Sequence, residues 1–159
     1  MHAEIKQELI FLDKEYQQVN DYFTEINELL QATGYVEKSF LEAIKTREIN
    51  FPTGLPLNSC AIAIPHCDSE HIKQPFISFT KLRNTLSFVQ MGTQDVYLAV
   101  NMIFMLGFTR DDPKQIVLLQ RLMEIFMNEE CVKKLLHVND EDSCYMILAD
   151  YLKLSEEEF

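Results

Sequence analysis

Cations are scarce in this chain. Lys and Arg number 14 against 25 Asp and Glu in 159 residues, a formal net charge of −11. Broad nucleic-acid binding works by neutralising phosphates with Lys and Arg, so this balance argues against it. It argues equally against docking on an anionic membrane surface. A local phosphate site stays open, because one Arg and a few backbone N–H groups make one. Long apolar runs are also missing. The longest, Tyr97 to Phe108, carries Asn101 and falls short of the ~20 residues that span a bilayer. Met1 to Lys6 shows no basic stretch leading into an apolar core, so neither a signal peptide nor membrane insertion is expected, and the expected location is cytoplasmic. No CxxC pair exists. Cys60, Cys67, Cys131 and Cys144 are irregularly spaced and read as reduced thiols, mostly packed as small hydrophobes. Repeats, low-complexity segments and linkers are absent. The length suits one domain and is awkward for two, since domains cluster near roughly 100–150 residues. A single domain over residues 1–154 is expected, with an acidic tail over 155–159 that frays.

What is present alternates between helix and strand. Glu8 to Leu12 reads as a short strand. Val19, Tyr22, Phe23, Ile26, Leu29 and Leu30 share one helical face, and Gly34 follows where a C-terminal cap falls. A second helix runs over 37–48. Cys60 to Ile64 is apolar at every position, the pattern of a strand buried on both faces. Residues 75–82 read as another strand, 86–89 as a short one, and 97–106 as the central strand. Asp112 fits a helix N-cap, Pro113 the first helical position and Gln115 the third position of a capping box. Ile116, Leu119, Leu122, Met123 and Phe126 are expected as the buried stripe of that helix. Two more helices cover 129–136 and 141–152. The fold class is α/β: a single domain with a mixed, mostly parallel central sheet flanked by helices on both faces.

Sites in open α/β sheets lie beyond the carboxyl ends of strands, and His66 stands there, after Ala61-Ile-Ala-Ile-Pro65. An imidazole is a good nucleophile toward phosphorus when neutral, and imidazoles near neutral pH are largely so. A histidine hydrogen-bonded at a strand end is the competing reading. His66, Cys67, Asp68 and His71 invite a metal site, but the two histidines are five apart in a loop, where known zinc helices space them by four, and no cysteine pair completes the set; no metal is expected. A Cys67–His66 nucleophile–base pair is disfavoured because adjacent side chains point apart. His71 reads as an ordinary loop residue or as a rim contact to a ligand. His2 and His137 read as exposed. Asn101 is expected to pair with backbone, and Met102, Met105, Met123 and Met127 to pack. Asp111 and Asp112 suggest a carboxylate pair, although N-capping accounts for at least one of them.

Arg47-Glu-Ile-Asn-Phe-Pro-Thr-Gly-Leu55, followed by Ala61-Ile-Ala-Ile-Pro-His66, resembles the signature of fructose/mannitol-type enzyme IIA domains of the bacterial sugar phosphotransferase system. Ile103-Phe-Met-Leu-Gly107 and Asp112-Pro-Lys-Gln-Ile-Val-Leu-Leu-Gln-Arg-Leu122 agree, and Pro65-His-Cys-Asp-Ser-Glu-His71 is most similar to the galactitol-type branch. The resemblance implies a phosphoryl relay: the phosphocarrier HPr donates to His66, and His66 passes the group to an enzyme IIB serving a membrane enzyme IIC. It implies that Arg47 is the essential arginine, a role that suits a permanently charged, forked donor. The competing reading of Arg47 is a cation at a helix C-terminus. Many members carry a second histidine where this chain has Gln115. Gln115 cannot titrate; it either donates to a phosphoryl oxygen or caps its helix. No cofactor is implied, since the donor is a protein. Partners would dock around the His66 loop beside an apolar patch. A regulatory module phosphorylated at His66 and a hydrolase using Cys67 are the alternatives.

Overall fold

Strands apolar at nearly every position need cover on both sides. The computed structural model, which describes residues 5–110 and 112–153, provides that cover. In chain order the elements are β1 (Ile5–Lys14), α1 (Val19–Ala32), α2 (Phe40–Asn50), β2 (Gly54–Pro56), β3 (Ala61–Ala63), β4 (Phe76–Val89), β5 (Tyr97–Gly107), α3 (Lys114–Met127), α4 (Glu129–His137) and α5 (Glu141–Leu152). A short 3-10 turn, Ser69–His71, lies between β3 and β4. The five strands form one sheet in the order β1-β4-β5-β3-β2. β1 runs parallel to β4 and β3 parallel to β5, while β4–β5 and β2–β3 are antiparallel. The expected mixed α/β sheet with helices on both faces is what forms.

Period-two alternation divides the apolar strands between two cores. Ile62, Ile64, Met102, Phe104 and Leu106 pack against α3, α4 and α5. Ala61, Ala63, Ile103 and Met105 pack against α1 and α2. Gly34, at φ +81, closes α1 as expected, with Tyr35 N–H donating to Leu30 carbonyl at 2.8 Å.

Three expectations are corrected. The first strand is Ile5–Lys14, longer than 8–12 at both ends. Residues 75–82 and 86–89 belong to one strand, β4, broken by a bulge between Lys81 and Leu86. The bulge turns polar Arg83 and Asn84 outward, and Arg83 donates to both Asp13 oxygens at 3.0 and 2.9 Å. On α3 the buried residues are Leu118, Leu122, Ile125 and Phe126, whereas Ile116 (69% exposed), Leu119, Met123 and Met127 (86% exposed) face outward. The apolar arc of α3 is broad, spanning about half of the helix, so periodicity does not say which part of it turns inward. Packing does, through the Phe126 ring against Phe104 at 5.1 Å. Met102 and Met105 are core residues as expected; Met123 and Met127 are not.

β5 ends at Gly107, directly opposite Phe76 of β4. A Cβ there would stand 2.2 Å from Cε1 of the buried Phe76 ring. Gly107→Ala is therefore expected to cost about 1–3 kcal/mol by overpacking, read as a lower urea midpoint with unchanged slope.

Candidate active site

The site is assembled where α2 ends and β3 exits the sheet. α2 contributes Arg47 and Glu48 in its last turns. The chain then turns back, so that Thr53 donates to Glu48 through its backbone N–H (2.7 Å) and its hydroxyl (2.6 Å), one bond to each carboxylate oxygen. Burial pushes the Glu48 carboxyl up to about 7, and the two Thr53 bonds pull it the other way. The Thr53 carbonyl in turn accepts from Ile64 N–H at 3.4 Å, tying this turn to the end of β3.

Past β3, the Pro65 carbonyl accepts from Leu106 N–H at 3.0 Å, which anchors the strand exit to the end of β5. His66 follows, half-buried. Its Nδ1 lies 2.8 Å from the Ile64 carbonyl oxygen. A carbonyl only accepts, so Nδ1 carries the ring proton and Nε2 keeps a bare lone pair. The strand-end hydrogen bond and the nucleophile are therefore compatible: the bond sets which nitrogen is nucleophilic.

A cleft of about 510 Å³ lies between α2 and the loop after His66, lined by Ser39, Arg47, Phe51, Cys67, Asp68 and His71 among others. The Arg47 guanidinium lies 4.4 Å above the Phe51 ring centre and 3.9 Å from Asp68 Oδ1. The ring contact restrains it, and so exposed an ion pair binds it weakly. Its Nε is buried and has no hydrogen-bond partner among the described residues, an orphan donor that an arriving anion would satisfy. His71 Nδ1 lies 2.7 Å from Ser39 Oγ, and Nε2 lies 3.5 Å from Glu70 Oε1. Its carbonyl accepts from Glu37 N–H at 2.9 Å, so His71 pins the loop to the start of α2.

The other candidates fall as follows. Burial, helped by Asp68, pushes the Cys67 thiol up to about 12. The thiolate is the reactive form, so the hydrolase reading loses its nucleophile near neutral pH. Gln115 donates from its side-chain amide to the Thr109 carbonyl, holding the loop between β5 and α3 rather than reaching back to the Asp112 amide. The Asp112 carboxylate accepts from Lys114 N–H at 3.0 Å, but α3 starts one residue later than expected, with Pro113 rather than Asp112 at the N-cap. Asn101 pairs with backbone, accepting from Ala61 N–H at 3.2 Å. His137 is exposed. His2, Asp111 and the 155–159 tail lie outside the described residues. Glu48, Phe51 and Thr53 lie in the Arg47–Leu55 motif, and no side-chain pattern in the sequence marks their roles here. No helix among the described residues is long and apolar enough to cross a membrane.

Comparison with known proteins bears on this geometry. Residues 4–151 match the family described as phosphoenolpyruvate-dependent sugar phosphotransferase system, EIIA 2. The galactitol-specific EIIA component of Escherichia coli (strain K12) is 31% identical over 117 residues, covering 74% of this chain and 77% of that protein. Two solved structures share the fold. Enzyme IIAMtl of Escherichia coli, determined in complex with phosphorylated enzyme IIBMtl, has a TM-score of 0.73 at 20% identity, covering 92% of this chain and 99% of that one. Nitrogen regulatory protein IIA-Ntr of Neisseria meningitidis has a TM-score of 0.74 at 24% identity, covering 91% and 96%.

Proposed function

The chain belongs to the EIIA 2 family of the phosphoenolpyruvate-dependent sugar phosphotransferase system, a phosphoryl-carrying component, and we propose that His66 is its carrier residue, charged by phosphorylated HPr and discharged by an enzyme IIB. The observation that carries this reading is the Nδ1–Ile64 contact, which leaves Nε2 as the attacking atom. The Nε2 lone pair forms the new N–P bond. The N–P bond of the donor phosphohistidine breaks, and its electron pair returns to the donor ring. Positive charge grows on the His66 ring as it accepts phosphorus, and the Nδ1–H···O=C bond strengthens with it. Passing the group to enzyme IIB reverses the sequence.

Phosphoryl transfer is mainly positioning and stabilisation of charge spread over three oxygens. Arg47 supplies that charge from the cleft wall, exchanging its weak contact with Asp68 for the phosphoryl oxygens. Gln115 keeps a second amide hydrogen for the same group, and His71 supports it from the rim while holding the loop. Partner proteins have an apolar surface to meet: Ile116, Leu119, Met123 and Met127 form an outward stripe on α3 that starts next to Gln115. The reading requires no cofactor and places the chain in the cytoplasm, feeding a membrane enzyme IIC through enzyme IIB. Galactitol or a related polyol is the proposed sugar, on the strength of the 31% identical relative. A second reading keeps the phosphohistidine and gives it a regulatory output, in line with the fold shared with IIA-Ntr.

The test is direct. Incubation with HPr, enzyme I and labelled phosphoenolpyruvate is expected to leave an acid-labile, alkali-stable label, which galactitol-type enzyme IIB removes. Absence of label, or an acid-stable one, defeats the proposal. Label that enzyme IIB cannot remove, with transport unaffected by loss of His66, favours the regulatory reading.

A further inference from the structure

Arg47 and His66 stand on different elements, and joint action demands that both be held in one frame. We propose that Glu48 is the positioning residue that joins them, clasping Thr53 and through it fixing both the Phe51 ring under Arg47 and the Ile64 carbonyl that orients His66. This role presupposes His66 as phosphoryl acceptor and Arg47 as its stabilising cation.

The links are continuous. Both oxygens of Glu48 are taken by one residue, Thr53, within 2.7 Å. The Thr53 carbonyl accepts from Ile64 N–H, and the Ile64 carbonyl accepts from His66 Nδ1–H. Phe51 lies inside the turn that the Glu48–Thr53 pair closes, so the same closure sets the ring on which Arg47 rests. Thr53 is only 2% exposed. Removing the carboxylate strands two buried donors, and the turn must open to reach water. Glu48 is itself only half-buried, but its carboxylate is turned inward to the buried Thr53 rather than out to water.

Geometry rather than charge is what Glu48 supplies. The Thr53 hydroxyl donates to an ionised carboxylate and accepts from a protonated one, so the clasp survives a proton. The phenol of Tyr22, on α1, is pushed up by burial and stays neutral, so it adds no charge beside Glu48. Glu48→Gln preserves reach and hydrogen bonding without charge. Glu48→Asp preserves charge and loses a methylene of reach.

Single-turnover phosphorylation by HPr, enzyme I and labelled phosphoenolpyruvate, alongside nitrogen NMR of the His66 ring, tests this on the full chain. Glu48→Gln is expected to retain the rate within about threefold and the Nδ1–H tautomer, since donor and acceptor distances persist. Glu48→Asp and Glu48→Ala are expected to slow by roughly ten- to a hundredfold, with mixed tautomer signals and an unchanged KM for phosphorylated HPr. Leu148→Ala, a buried residue of α5, controls for stability alone and is expected to lower the melting temperature without moving tautomer or rate below it. A Glu48→Asp chain with wild-type rate and tautomer, or a Glu48→Gln chain as slow as Glu48→Ala, overturns the role of Glu48. A wild-type chain that takes no label on His66 overturns instead the reading it presupposes.

Discussion

A His66→Ala chain is expected to take up no label from HPr, enzyme I and labelled phosphoenolpyruvate. The loss should be complete, because the neighbours cannot substitute. The Cys67 thiol is pushed up to about 12, which leaves almost no thiolate at neutral pH. His71 is held in the rim by Ser39 at Nδ1, and the Glu70 carboxylate, 3.5 Å from Nε2, competes for the other nitrogen. The fold should survive the change. His66 is half-buried, and its bond to Ile64 is worth about 0.5–1.5 kcal/mol net, so thermal unfolding should shift little. Label retained on any other residue would move the acceptor away from the end of β3.

Arg47→Ala is expected to keep HPr binding and lose about 10²–10³-fold in transfer rate, the scale of one preorganised donor removed from a transition state. The effect belongs in kcat, because charge on the equatorial oxygens is greatest in the transition state. Arg47→Lys should recover only part of it. An ammonium keeps the charge but cannot lie flat over Phe51 or offer two parallel donors. Rapid-quench kinetics with pre-phosphorylated HPr separate the two parameters. A raised KM with unchanged kcat would make Arg47 a docking residue.

Elements defined by local pattern were legible in the sequence. β3 and β5 announce burial on both faces by having no polar position to turn outward, apart from Asn101. α1 shows its spacing and its glycine cap. His66 was placed by the strand and proline before it. What was not legible depends on distant parts of the chain. Only the return of Thr53, 5 residues on, gives the Glu48 carboxylate its partners. The inward face of α3 is chosen by Phe104, because the apolar arc of the helix is broad. The β4 bulge adds residues without changing the alternation at either end, so one bent strand reads as two. The proton on His66 Nδ1 depends on a backbone carbonyl, which no side-chain motif encodes.

The pairing of β1 with β4 has a consequence for how the molecule is made. Ile10 finds its partner in Phe79, which follows it by 69 residues. At ribosomal speeds of ~5–20 residues per second, roughly 3–14 s separate their synthesis. Throughout that interval β1 carries Ile10 with no β4 to pair with, so its backbone edge stays open to wrong partners until the distant strand is made.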